Sequence, residues 1–117
     1  MKRIVVIEDN EDIAASLIKR LKAESYETDW ISNGWAALSQ LLKRENAPDA
    51  VILDLMLPGR TGQELLNSIR SVWPFTKIWI FSAYPQYAIL IPKDLIQGFF
   101  LKNAGIENLI KELKQSI

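Results

Sequence analysis

The chain has 117 residues, enough for one domain with a single core, and its 49% hydrophobic and 24% charged content is ordinary for a globular protein. Its 14 basic and 14 acidic residues cancel, which argues against a nucleic-acid or membrane surface. The absence of cysteine and histidine excludes disulfides, cysteine or histidine metal ligands and a phosphohistidine carrier. No signal peptide or apolar run of membrane length is present, so we expect a cytoplasmic domain.

Five short runs along the chain predict strands. Three of them are apolar or β-branched and predict buried strands, at residues 2–7, 50–54 and 77–82. Residues 26–31 alternate apolar with polar side chains and predict an exposed edge strand, on which we expect Trp30 to be a core or half-buried residue. Residues 98–101 predict a short fifth strand.

Amphipathic stretches between the runs predict helices. Asn33 is positioned to cap the second helix, and Thr61 with Glu64 forms a capping box that opens the third. The apolar positions at helical spacing are Ile13, Leu17 and Leu21; Ala37, Leu38, Leu41 and Leu42; Leu65, Leu66, Ile69 and Val72; and Ile106, Leu109, Ile110 and Leu113. Strands that alternate with helices predict a parallel sheet covered on both faces.

Polar residues follow the strands of this sheet. Glu8 and Asp9 end the first strand, Asp54 the third, Ser82 the fourth, and Lys102 follows the fifth. The functional crevice of such a sheet lies at the carboxyl ends of the strands, so these side chains should meet there. Three neighbouring carboxylates repel one another unless a cation lies among them, and an incomplete set of oxygen ligands suits Mg²⁺.

Over its entire length the chain resembles the receiver domain of response regulators. The resemblance rests on the acidic pair Glu8-Asp9, the run DLMLPGRTG with Asp54, the pair Ser82-Ala83, and Phe99 three positions before Lys102. It implies one receiver domain over residues 1–117, with a doubly wound, flavodoxin-like α/β fold. The five parallel strands would have the order 2-1-3-4-5 and be flanked by helices.

The resemblance also implies the chemistry of the site. Asp54 would accept a phosphoryl group from a phosphohistidine on a sensor histidine kinase or a histidine phosphotransfer protein. Mg²⁺ would be held by Asp9, Asp54 and the backbone carbonyl of Met56, with Glu8 acting through water. Lys102 would neutralise phosphoryl oxygens, Ser82 would donate a hydrogen bond to one of them, and Phe99 would turn inward as the aromatic switch. Such a protein is a signalling domain, not an enzyme with a separate substrate.

The outer face of the first helix is where the histidine-bearing partner docks in this family. Ala14, Ala15 and Ile18 would make that face apolar, and Pro58 would join it beside the acceptor. We therefore expect a docking surface formed by these four residues, the alternative being that they are ordinary surface residues.

The segment 83–97 departs from the family pattern. Pro92 cannot sit inside a helix without removing a hydrogen bond, so the fourth helix should be short or irregular. Its residues are apolar all round, from Tyr84 and Tyr87 to Ile91, which suggests a surface beside Phe99 for self-association or a protein target instead of DNA. Lys102 is followed by Asn103 where the family has proline, which favours a trans bond.

Two other functions would need different residues at the site. A phosphatase of the haloacid-dehalogenase type would need an acid two residues after the nucleophile, where this chain has Met56, so we reject it. A pseudo-receiver, an interaction module that is never phosphorylated, usually lacks the acidic pair or the acceptor. Glu8, Asp9 and Asp54 are all present, and phosphorylation with a small-molecule donor would decide between the two readings.

Overall fold

The computed structural model describes residues 1–43, 46–56 and 61–117. Within these ranges five parallel strands form one sheet in the order β2-β1-β3-β4-β5, which confirms the predicted fold class. The strands are β1 (Arg3–Ile7), β2 (Glu27–Ile31), β3 (Ala50–Leu53), β4 (Lys77–Ser82) and β5 (Gly98–Leu101). The α-helices are α1 (Glu11–Ala23), α2 (Gly34–Leu42), α3 (Gly62–Val72) and α4 (Glu107–Ser116).

The sheet separates two apolar cores. One face, on the side of α2 and α3, contributes alternate strand residues that include Val5, Val51 and Ile78. The other face packs its remaining strand residues, including Val6 and Trp79, against α1 and α4. Because both faces are covered, β1, β3 and β4 are apolar almost throughout, whereas the edge strand β2 remains largely exposed, as predicted.

Side-chain caps fix where α2 and α3 begin. Asn33 accepts a hydrogen bond from the Ala36 N–H at 2.8 Å, and Thr61 accepts one from the Glu64 N–H at 3.2 Å. Both predicted caps are confirmed. Gly62, the first residue of α3, approaches the end of β3 so closely that an added Cβ would lie 2.3 Å from the Cα of Leu55. This contact ties the start of α3 to the strand that precedes Asp54.

Two 3₁₀ turns replace the family's fourth helix, and this confirms the short or irregular segment that the prolines predict. The turns span Pro85–Ile89 and Lys93–Leu95, and Pro92 caps the second. Ile89 is 89% exposed and Leu90 59% exposed, so the segment does present apolar surface. Ile91, which the sequence groups with them, is instead buried in the core on the α2 and α3 side.

No helix in the described part of the chain is both long enough and apolar enough to span a membrane.

Candidate functional site

Glu8, Asp9 and Asp54 form an acidic cluster at the carboxyl edge of the sheet. Strands β1 and β3 are paired with Ile7 opposite Leu53, so the residues that follow each strand leave the sheet side by side. The Asp54 N–H donates to the Ile7 carbonyl at 3.0 Å and extends this pairing. One carboxylate oxygen from each of the three acids lies within 4.8 Å of the other two, as the sequence predicted.

Lys102 places its ammonium group against two of these carboxylates. The side chain follows β5 and puts Nζ 3.0 Å from Asp54 Oδ2 and 2.5 Å from Glu8 Oε1. The Glu8 and Asp54 side chains are 2% and 5% exposed, so these ion pairs are shielded from water. A buried carboxylate without such a partner would be very costly, and Lys102 partly offsets that cost.

The pKa values of Glu8 and Lys102 depart from those of the free side chains. Burial, reinforced by the neighbouring Asp54 carboxyl and opposed by Lys102, raises the pKa of Glu8 to about 8. Burial also acts to lower the pKa of Lys102, but the contacts with Glu8 and Asp54 outweigh it and raise that pKa. Lys102 is thus held as a cation, while ionisation of Glu8 is disfavoured unless further positive charge arrives.

The donors present fit a small divalent cation. Both carboxylate oxygens of Glu8 are buried and, among the described residues, neither has a hydrogen-bond partner, although Oε1 contacts the Lys102 ammonium. Buried polar atoms are normally satisfied, so these two oxygens indicate that a ligand or water belongs beside them. Carboxylate oxygens at this spacing suit Mg²⁺, which retains several waters of its own.

Met56 and Ser82 lie at the same edge of the sheet. The Met56 N–H donates to Asp54 Oδ1 at 3.0 Å, so Asp54 is held through both oxygens, the other by Lys102. Ser82 ends β4, is fully buried, and accepts a hydrogen bond from the Tyr84 N–H at 3.1 Å. The Lys102–Asn103 bond is trans, as expected.

Phe99 lies on β5 and is half-buried. Its ring packs against the core on the α2 and α3 side, as do Tyr87 and Leu95 of the 3₁₀ segment. Phe99 and this segment therefore share one core, and the switch role of Phe99 stays a prediction.

The predicted docking surface needs one correction. Ala14 is completely buried, because it lies on the same helical face as Leu17 and Leu21 and all three point into the core. Ala15 is exposed and Ile18 is half-buried, so both can reach a partner. Pro58 lies outside the described residues.

Two residues at the site were not identified from the sequence. The Trp30 indole N–H donates to the backbone carbonyl of Glu8 at 2.7 Å, although Trp30 is 42% exposed and was expected to be a core or half-buried residue. The Tyr87 hydroxyl donates to the Met56 sulfur at 3.2 Å. The alternation of the edge strand was the only available signal for Trp30, and it could not show where the ring points.

The chain is similar to known proteins. The family model of the response regulator receiver domain matches residues 4–114. The response regulator TrrA of Thermotoga maritima, crystallised with Mg²⁺–BeF, is 31% identical, covers 100% of both chains and superposes with a TM-score of 0.88. TrrA in complex with the histidine kinase ThkA superposes with a TM-score of 0.86, at 31% identity and coverage of 100% of this chain and 99% of that one.

Curated relatives match over a shorter region. The DNA-binding response regulator MtrA of Mycobacterium tuberculosis is 39% identical over 70 residues, which are 60% of this chain and 30% of MtrA. The transcriptional regulatory protein BaeR of Escherichia coli is 41% identical over 68 residues, 58% of this chain and 28% of BaeR. These matched regions thus span less than a third of either relative. The family model, the fold and the acidic edge of the sheet agree, and the chain belongs to the response regulator receiver domain family.

Proposed function

We propose that Asp54 is the phosphoacceptor of this receiver domain, and that it takes the phosphoryl group from a phosphohistidine of a sensor histidine kinase or a histidine phosphotransfer protein. The observation that carries the proposal is the setting of its carboxylate. Asp54 is buried, yet it ends an apolar strand between the Met56 N–H and the Lys102 ammonium, each 3.0 Å away. A carboxylate whose two oxygens are both held keeps one orientation, which favours in-line attack on the phosphorus atom.

The transfer needs few protein groups. An Asp54 oxygen forms a bond to phosphorus while the phosphorus–nitrogen bond of the phosphohistidine breaks, and the electron pair of that bond leaves with the imidazole nitrogen. Phosphoryl transfer depends mainly on positioning and on neutralising the equatorial oxygens. Lys102 is placed to neutralise one of these oxygens, since its Nζ already contacts Asp54.

The residues that would hold Mg²⁺ are Asp9, Asp54 and the backbone carbonyl of Met56, with Glu8 acting through water. When bound, Mg²⁺ supplies positive charge to the phosphoryl oxygens. The spacing of the three carboxylates and the unsatisfied oxygens of Glu8 support this assignment. TrrA, the similar Thermotoga protein, was crystallised with Mg²⁺–BeF, which adds support.

Phosphorylation would be read out through Ser82 and the 3₁₀ segment. An aspartyl phosphate adds acceptor oxygens and a charge of about −1.5 to −2, and the Ser82 hydroxyl is the donor that can move toward it. Ser82 also accepts from the Tyr84 N–H, so its movement would displace the start of that segment, which shares its core with Phe99 through Tyr87. The exposed side chains there suit a second copy of the chain or a protein target, not DNA.

The kinase side of the reaction would use a different surface. Ala15 and Ile18 of α1 are the accessible members of the predicted docking face. The complex of TrrA with the histidine kinase ThkA supports a partner of this class. In this account the domain switches contacts between proteins and does not turn over a separate substrate.

Incubation with acetyl phosphate and Mg²⁺ tests the proposal. We expect intact mass measurements to show one added phosphoryl group on the wild-type protein and none on Asp54→Asn, because an amide is a poor nucleophile. Asp94→Asn, at an exposed carboxylate in the second 3₁₀ turn, is the control and should be modified normally. A wild-type protein that takes no phosphoryl group would instead favour the pseudo-receiver.

A further inference from the structure

Trp30 holds the main chain of the acidic pair in place. The Glu8 N–H donates to the Ile31 carbonyl at 3.0 Å, and the Glu8 carbonyl accepts from the Trp30 indole at 2.7 Å. The first bond fixes the peptide group before Glu8, and the second fixes the peptide group that leads to Asp9. The edge strand β2 therefore sets both peptide planes around Glu8.

The second of these planes is the peptide group that leads into Asp9. The Asp9 side chain is exposed, so packing does little to restrict it. On its other side the chain is fixed by Asn10, which caps α1 by accepting from the Ile13 N–H at 3.0 Å. Asp9 thus lies between two anchored points, and the Trp30 hydrogen bond is the anchor on the strand side.

We propose that Trp30 is a positioning residue of the metal site. Its indole N–H would orient the peptide between Glu8 and Asp9, so that the Asp9 carboxylate is already directed toward the cation when Mg²⁺ binds. The inference rests on the proposed function, in which Asp9 and Asp54 hold Mg²⁺. It adds a residue from the edge strand that carries no oxygen ligand of its own. Pre-organised ligands bind more tightly because less ordering remains at the moment of binding.

The matched pair Trp30→Phe and Trp79→Phe separates positioning from general stability. Phenylalanine at position 30 removes the N–H but keeps an aromatic ring against α1, where Trp30 lines a groove with Ala15 and Ile18. Trp79 is fully buried and donates its indole N–H to Glu112, on the core side of α4. Its replacement should lower stability without touching the acidic cluster.

The measurement is Mg²⁺ affinity, by calorimetric titration of the metal into unphosphorylated protein. We expect Trp30→Phe to bind Mg²⁺ about two- to tenfold more weakly than wild type, the loss typical of one hydrogen bond, and Trp79→Phe to bind it as wild type does. In the wild-type protein, the NMR signal of the Trp30 indole N–H should shift during the same titration.

Three results would overturn the inference alone. These are an unchanged affinity in Trp30→Phe, an equal loss in Trp79→Phe, or a Trp30 indole signal that stays fixed while Mg²⁺ binds. A wild-type protein that binds no Mg²⁺ would overturn the proposed metal site itself, and this inference with it.

Discussion

Glu8 shows most directly why a bound cation would stabilise the site. Its carboxyl group is buried beside Asp54, and its pKa rises to about 8 even though Lys102 is in contact. The single positive charge of Lys102 therefore does not fully compensate the negative charge of the acidic cluster. A divalent ion would remove the remaining penalty by favouring ionised Glu8.

This arrangement makes the metal-free protein sensitive to pH. Between about pH 4.5 and pH 8 the folded protein keeps a proton on Glu8 that the unfolded chain has released. The free energy of unfolding in EDTA should therefore fall as pH rises through this window, and Glu8→Gln should flatten the dependence. Urea unfolding across the window measures it. Glu11→Gln, at an exposed acid of α1, is the control, and a slope that persists in Glu8→Gln would contradict this account.

Individual residues were predictable where the topology alone determines their position. Asp54 and Lys102 follow strands, and the carboxyl ends of parallel strands share one edge, so their meeting could be foreseen. Ala14 was wrongly placed on the surface, although its spacing of three and seven residues from Leu17 and Leu21 puts it on their face. Trp30 was missed because a hydrogen bond from a side chain to a distant carbonyl leaves no pattern in the sequence.

At the scale of elements, the turn from β3 to α3 is built around a close contact. Gly62 donates its N–H to the Leu55 carbonyl at 3.0 Å, and its Cα faces the backbone of Leu55 and Asp54. The helix that follows is thereby held directly against the strand that carries the acceptor. Any side chain at Gly62 must displace one of the two.

Gly62→Ala should therefore damage the site as well as the fold. The added Cβ would lie 2.3 Å from Leu55 Cα and 3.0 Å from the Asp54 carbonyl, so we expect a loss of about 1–3 kcal/mol in stability and slower phosphoryl uptake. Gly105→Ala is the matched control, since its φ of 84° strains any side chain but nothing lies near it. Unfolding curves and uptake rates compare them. Equal uptake in both variants would show that this contact does not position Asp54.

The two 3₁₀ turns between β4 and β5 are short, spanning Pro85–Ile89 and Lys93–Leu95. The Tyr87 and Leu90 N–H groups make bonds of 3.3 and 3.1 Å within the first turn, and Ile91 anchors the segment in the core. Proline chemistry made the irregular segment predictable. The burial of Ile91 was not, because it depends on how the segment packs against the core on the α2 and α3 side.

Hydrogen exchange should reveal this element as the least protected part of the described chain between β4 and α4. We expect fast exchange across Pro85–Ile89 and slow exchange at the Gln97 N–H, which donates to the Ile78 carbonyl at 2.7 Å. Protection of the 3₁₀ turns should increase when beryllofluoride and Mg²⁺ mimic phosphorylation. Helix α3 is the internal reference. Protection in the 3₁₀ turns equal to that of α3, or unchanged by the mimic, would contradict the proposed readout.

At the scale of the whole molecule, the parallel sheet and its two cores follow from the alternation of apolar and amphipathic segments, whereas the resemblance to receiver domains implied the strand order. The sheet brings acids from β1 and β3 and a lysine from β5 to one edge, although they are far apart in the chain. The sequence could predict that edge because the carboxyl ends of parallel strands lie at the same edge of a sheet. It could not predict that Lys102 would contact Glu8 as well as Asp54, since that depends on side-chain reach.

The central claim is that the phosphoryl group resides on Asp54, and chemical trapping tests it most directly. The protein is phosphorylated with acetyl phosphate and Mg²⁺ and then reduced with borohydride, which converts an aspartyl phosphate to homoserine. The reduced protein is digested, and its peptides are sequenced by mass spectrometry. We expect homoserine at position 54 and nowhere else, and none when EDTA replaces Mg²⁺. Homoserine at another aspartate, with Asp54 intact, would contradict the account.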